Sequence, residues 1–97
     1  MEITLKKGNQ IPPVVLRQAG YAPYINKEGV QSFVRRVHGT DFPRFHLYIK
    51  EEDEHTFLCS VHLDQKRPSY MGSKAHGGDY DSETVQGEAE RIHKSIE

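Results

Sequence analysis

The sequence predicts a small α+β fold: an antiparallel sheet centred on one β-hairpin, with a C-terminal helix and one further helix packed on one face. Three observations carry this expectation. Residues 44–64, RFHLYIKEEDEHTFLCSVHLD, hold two alternating runs joined by a charged turn. Residues 83–96 carry an apolar stripe at helical spacing. Ninety-seven residues, 35% of them hydrophobic, can fill only one modest core, because a chain this short buries roughly 60–65% of its unfolded surface. The expected organisation is one globular domain over 1–97 with a long polar loop at 65–81.

At the start of the chain, Ile3 and Leu5 alternate before a Lys6, Lys7, Gly8, Asn9 cluster, the pattern of a short edge strand ending in a turn. Pro12-Pro13 precede VVLRQAGY. Pro13 suits the first position of a helix and Gly20 a left-handed stop, which predicts one or two helical turns there, with a strand over 14–17 as the competing reading. Residues 21–26, YAPYIN, read as loop.

Asn26 can cap a helix in which Val30, Phe33, Val34 and Val37 fall at i, i+3, i+4 and i+7. That spacing favours a helix over 30–37, although Gly29 and the β-branched FVRRV run also suit a strand beside the hairpin. Pro43 pushes Phe42 into an extended conformation and delivers the chain into the hairpin.

In the hairpin, about 44–50 and 56–64, Phe45, Leu47, Ile49, Phe57, Cys59, Val61 and Leu63 form one apolar face, since strand side chains alternate with period two. Arg44, His46, Tyr48, Ser60, His62 and Asp64 share the other. Any register that keeps the apolar sets together brings His46 near Ser60 or His62, and Arg44 near His62 or Asp64. The following seventeen residues, QKRPSYMGSKAHGGDYD, contain three glycines, a proline and no sustained period, and loops this long are uncommon unless functional or disordered. Ser82 or Asp81 then caps the last helix, about 83–96, whose stripe Val85, Ala89, Ile92 and Ile96 should cover the hairpin's apolar face.

A formal net charge of -1 supplies no global field for nucleic acid or anionic membrane, so such binding would need a local patch. A mean hydropathy of -0.74 makes the chain polar for a globular protein. The single cysteine, Cys59, allows no intrachain disulfide and falls on the apolar face, as a small buried hydrophobe does. No stretch approaches a membrane span and the first ten residues lack an apolar leader core, so the expected setting is cytoplasmic.

Candidate chemistry concentrates on the polar hairpin face and the 65–81 loop: Arg44, His46, His62, Asp64, Lys66, Arg67, Tyr70 and His76. The expected function is a small soluble binding or interaction module using that face, with a protein partner or a small anionic ligand, and the hairpin's edge strand is a further docking element. Anion, nucleotide or single-stranded nucleic-acid binding would use Arg44, Lys66, Arg67 and Tyr70, cations beside a stacking ring; the net charge does not favour nucleic acid. A hydrolase-like or metal-dependent enzyme would use His62, Asp64 and His76, but the spacing fits no closed zinc signature, and no nucleophile motif is present. No cofactor and no catalytic residue is expected, and metal ligation at His62, Asp64 and His76 is the weakest of these readings.

Overall fold

In the computed structural model, residues 1–65, 78–79 and 82–96 are described. The elements run β1 (Glu2–Lys6), α1 (Pro12–Gln18), β2 (Ala22–Ile25), β3 (Gln31–Arg36), β4 (Arg44–Glu52), β5 (Thr56–Asp64), β6 (Gly78–Asp79) and α2 (Glu83–Ile96). The sheet is antiparallel throughout, in the order β1-β5-β4-β3-β2, with β6 paired to β5 off that path. The expected α+β architecture is therefore present, with α2 at its expected position and α1 as the further helix.

The hairpin is the centre of the sheet, and both of its strands are interior. β4 lies between β5 and β3. The outer side of β5 takes β1 along Thr56–Ser60 and β6 at Leu63 and Asp64. The expectation that the hairpin offers an edge strand is thus corrected; among the described residues the edges belong to β1 and the short β6 on one side and to β2 on the other, where Pro23 lacks an N–H to offer a new strand. The hairpin turn is held by Asp53, whose Oδ1 accepts the N–H groups of His55 and Thr56 at 2.8 Å each.

Within residues 30–37, where a helix was expected, Gln31–Arg36 form a strand, and Ala22–Ile25 form a strand rather than a loop. Asn26 does not cap a helix. Its side-chain oxygen accepts the N–H groups of Glu28 and Val30 at 2.9 Å, and Gly29 takes φ 83°, which closes a tight turn between β2 and β3. A short polar side chain that bonds its own nearby backbone competes with helix initiation. The supposed helical stripe is then split: Phe33 is buried in the core, whereas Val30 remains 48% exposed.

α1 ends as the sequence suggests. Gly20, at φ 91°, donates to the carbonyl of Arg17 and Tyr21 donates to that of Leu16, the paired bonds of a Schellman stop. Both helices lie on the apolar face, where Val15, Leu16, Ala19, Val85, Ala89 and Ile92 pack with Leu5, Phe33, Phe45, Leu47, Phe57, Cys59, Val61 and Leu63. Burial pushes the Cys59 thiol up to about 12, which makes it inert at neutral pH.

One charged group is set into this layer. Glu88 of α2 is 4% exposed and accepts Arg35 Nε and Nη2 at 3.0 and 2.8 Å, Arg91 Nε at 2.8 Å and the Tyr21 hydroxyl at 2.6 Å. Arg91 also donates to the carbonyl of Ala19, tying α2 to the end of α1. No described helix is long and apolar enough to cross a membrane.

Candidate functional site: the polar face of the sheet

With one face of β3, β4 and β5 committed to the core, alternation and register place a second set of side chains in rows on the other. The hairpin register pairs Arg44 with Asp64, His46 with His62 and Tyr48 with Ser60. β3 adds Val34 opposite His46 and Arg36 opposite Arg44, and β2 adds Tyr24 opposite Ser32.

At the centre, Asp64 links the two imidazoles. Its Oδ1 lies 2.9 Å from His62 Nε2 and its Oδ2 3.1 Å from His46 Nδ1. His46 Nε2 in turn lies 2.7 Å from Ser32 Oγ, which donates to the Tyr24 carbonyl at 3.2 Å. Tyr48 stacks on His46 with centroids 4.6 Å apart, and Tyr24 meets the same ring edge-on at 6.0 Å. Both histidines are under one-tenth exposed. Burial by itself would raise the Asp64 carboxyl pKa, but hydrogen bonds from both histidines and their nearby charge outweigh it and hold the group well below the usual carboxylate range. Asp64 is thus an anion at neutral pH.

The order Ser32–His46–Asp64 has the connectivity of a nucleophile relay. It does not have the access of one: Ser32 is 1% exposed and its hydroxyl is already engaged with Tyr24. What the cluster can do is hold a cation between nitrogen and oxygen donors.

Beside the cluster lies an open groove of about 1040 Å³, lined by Gly20, Ala22, Pro23, Tyr24, Lys27, Val34, Arg35, Arg36, Asp41, Phe42 and Arg44. Arg44 forms its wall toward the histidines. Its guanidinium carbon stands 4.9 Å from the Tyr24 ring centroid and 4.5 Å from that of Phe42, a cation between two aromatic faces. Its Nε lies 3.6 Å from Asp64 Oδ2, too far for a hydrogen bond, and this buried donor has no partner among the described residues. Arg36, more exposed, pairs with Asp41 at 3.1 Å.

Of the residues singled out from sequence, Arg44, His46, His62 and Asp64 converge as neighbours on β4 and β5. Lys66, Arg67, Tyr70 and His76 lie outside the described residues, although the backbone of Gly78 pairs opposite Asp64. Ser32, Tyr24, Phe42 and Arg36 were not anticipated. Ser32, Val34 and Arg36 share a face only because 31–36 is a strand, and QSFVRR carries no clean apolar–polar alternation that would have marked it as one. Comparison with protein-family models, curated proteins and solved structures gives no match to this chain.

Proposed function

We propose that this protein is a small binding module for an anionic ligand that carries a flat ring, such as a nucleoside phosphate, taken into the groove between Tyr24, Phe42 and Arg44. The observation that carries this reading is Arg44 itself, a groove-lining guanidinium flanked by two aromatic rings. Aromatic faces fix the guanidinium plane, so its donors are held for a planar anion at little entropic cost. Lys27 and Arg36 add positive charge to the same groove, against Asp41 alone among its lining carboxylates. Tyr24 is 37% accessible, which leaves part of its ring for the ring of a ligand to pack against. Arg36 and Lys27 are the described cations beside Arg44 in the groove, whereas Lys66 and Arg67 lie outside the described residues. A cytoplasmic setting belongs to the same proposal and rests on the lone buried thiol.

The test is a titration of adenosine 5′-monophosphate and of inorganic phosphate, followed by amide and aromatic chemical shifts. Shifts should cluster on Tyr24, Lys27, Arg36, Phe42 and Arg44, with the nucleotide tighter than phosphate and both weakened by salt. Arg44→Ala should reduce affinity by at least ~10-fold, the loss expected of a charge-assisted hydrogen bond. Scattered shifts, or binding indifferent to Arg44→Ala, would remove this function from the groove.

A further inference from the structure

His46, His62 and Asp64 each place one ligand atom within 4.8 Å of the other two. From this convergence we infer a divalent transition-metal site of the zinc class, liganded by His46 Nδ1, His62 Nε2 and a carboxylate oxygen of Asp64. The inference is separate from the anion groove, which uses none of these three side chains.

A supporting hydrogen bond is already in place. Ser32 Oγ lies 2.7 Å from His46 Nε2 and 3.2 Å from the Tyr24 carbonyl oxygen. In the tautomer with its hydrogen on Nε2, the ring donates to Ser32, Ser32 donates its single hydrogen to the Tyr24 carbonyl, and Nδ1 faces Asp64 with a lone pair that a metal can take. A metal on Nδ1 occupies the place a ring proton takes in the other tautomer, so metal binding is in competition with protons.

The donor set selects the metal class. Two neutral imidazoles and one carboxylate suit zinc and its first-row neighbours, whereas magnesium and calcium prefer oxygen. Three protein ligands leave a position for water or a ligand atom. His46 Nδ1 and His62 Nε2 each lie beside a different oxygen of Asp64, at 3.1 and 2.9 Å, so both nitrogens already face the carboxylate that completes the set. Both histidines sit opposite each other on interior strands, so the backbone spacing is set by the sheet. Ser32 fixes the His46 ring through its outer nitrogen, the usual part of a supporting hydrogen bond to a metal ligand. Arg44 works the other way: its positive charge beside Asp64 weakens cation binding.

Zinc chloride titrated into the purified chain, with imidazole nitrogen shifts and competition against a chromogenic chelator as readouts, tests the site. One zinc per chain is expected, on His46 through Nδ1 with the Nε2 hydrogen retained, and on His62 through Nε2. His46→Gln and His62→Gln should each weaken binding by ~100-fold or more, and Ser32→Ala by ~10-fold, since loss of a supporting hydrogen bond costs 10–100-fold. The exposed His38→Gln and His55→Gln should change nothing. Arg44→Ala should tighten zinc binding while weakening anion binding by at least ~10-fold, which separates this site from the groove. Absence of zinc binding at micromolar metal overturns the inference, as does coordination at His38 or His55. Should the ligand variants fail to fold, the wild-type imidazole shifts alone decide between these outcomes.

Discussion

Tyr21 and Glu88 stand 67 residues apart in the chain and are joined by a phenol-to-carboxylate hydrogen bond of 2.6 Å beneath the helical layer. Arg35 from β3 and Arg91 from α2 close on the same carboxylate. The group therefore links the end of α1, the sheet and α2. Removing the carboxylate leaves two guanidinium groups beside an apolar layer. Glu88→Ala should cost about 2–3 kcal/mol in urea unfolding, below the 3–5 kcal/mol of a fully buried pair because both arginines are partly exposed. Tyr21→Phe, which leaves both arginines paired, should cost about 1 kcal/mol. Equal losses from the two variants would show that Tyr21, not the ion pairs, holds the layer.

The same carboxylate makes stability depend on pH. Burial opposes its charge, but hydrogen bonds from Arg91, Arg35 and Tyr21 outweigh burial and set the Glu88 pKa below its ordinary value. The unfolded chain then binds a proton more readily than the folded one. Stability from Glu88 is present above the unfolded glutamate pKa of about 4.3 and is lost as pH falls through the lower folded value. Melting temperatures of wild type and Glu88→Gln should differ at pH 7 and converge in acid below pH 4. A gap that stays constant with pH would mean the charge of Glu88 does not contribute.

How much of this was legible in the sequence depends on whether the signal is local. The hairpin read correctly because alternation over 44–50 and 56–64 depends only on which face each residue takes; keeping the apolar sets together narrowed His46 to Ser60 or His62 and Arg44 to His62 or Asp64, and the structure has the second of each pair. α2 read correctly for the same reason, through Val85, Ala89 and Ile92. β3 did not. Its side chains serve two faces at once: Phe33 enters the core, Arg35 reaches Glu88, and Ser32 turns to His46. Val30, Phe33, Val34 and Val37 fall at helical spacing, yet in extended chain the odd- and even-numbered pairs lie on opposite faces, and the spacing alone does not tell the two apart when the partner strands are unknown.

The site was half legible. His46, His62 and Asp64 could be placed together from register, but the groove could not, because Tyr24 and Phe42 arrive from a strand and a connection that looked like loop. Arg35 beside Glu88 had no local signature. Its partner lies 53 residues away, and an arginine pair in sequence looks the same whether or not a carboxylate waits for it.

Two glycines give opposite forecasts for the same substitution. Gly20 combines φ 91° with a close approach, since a Cβ there would meet Arg35 Cδ at 3.1 Å. A side chain at this position is strained by the left-handed backbone, and the crowding falls on the arginine that carries Glu88. Gly87 lies within α2 at ordinary helical φ, and a Cβ there meets nothing within 4 Å. Gly20→Ala should therefore destabilise by about 1–2 kcal/mol. Gly87→Ala should stabilise by about 0.5–1 kcal/mol, through a lower unfolded-state entropy and a better helix former. Chemical denaturation of the two variants beside wild type checks both signs in one experiment. A Gly20→Ala variant as stable as wild type would show that the Schellman stop tolerates a side chain and that Arg35 can move aside without loosening Glu88. A Gly87→Ala variant that loses stability would mean the open side of α2 is covered, and a second measurement at higher protein concentration would then show whether another copy of the chain covers it.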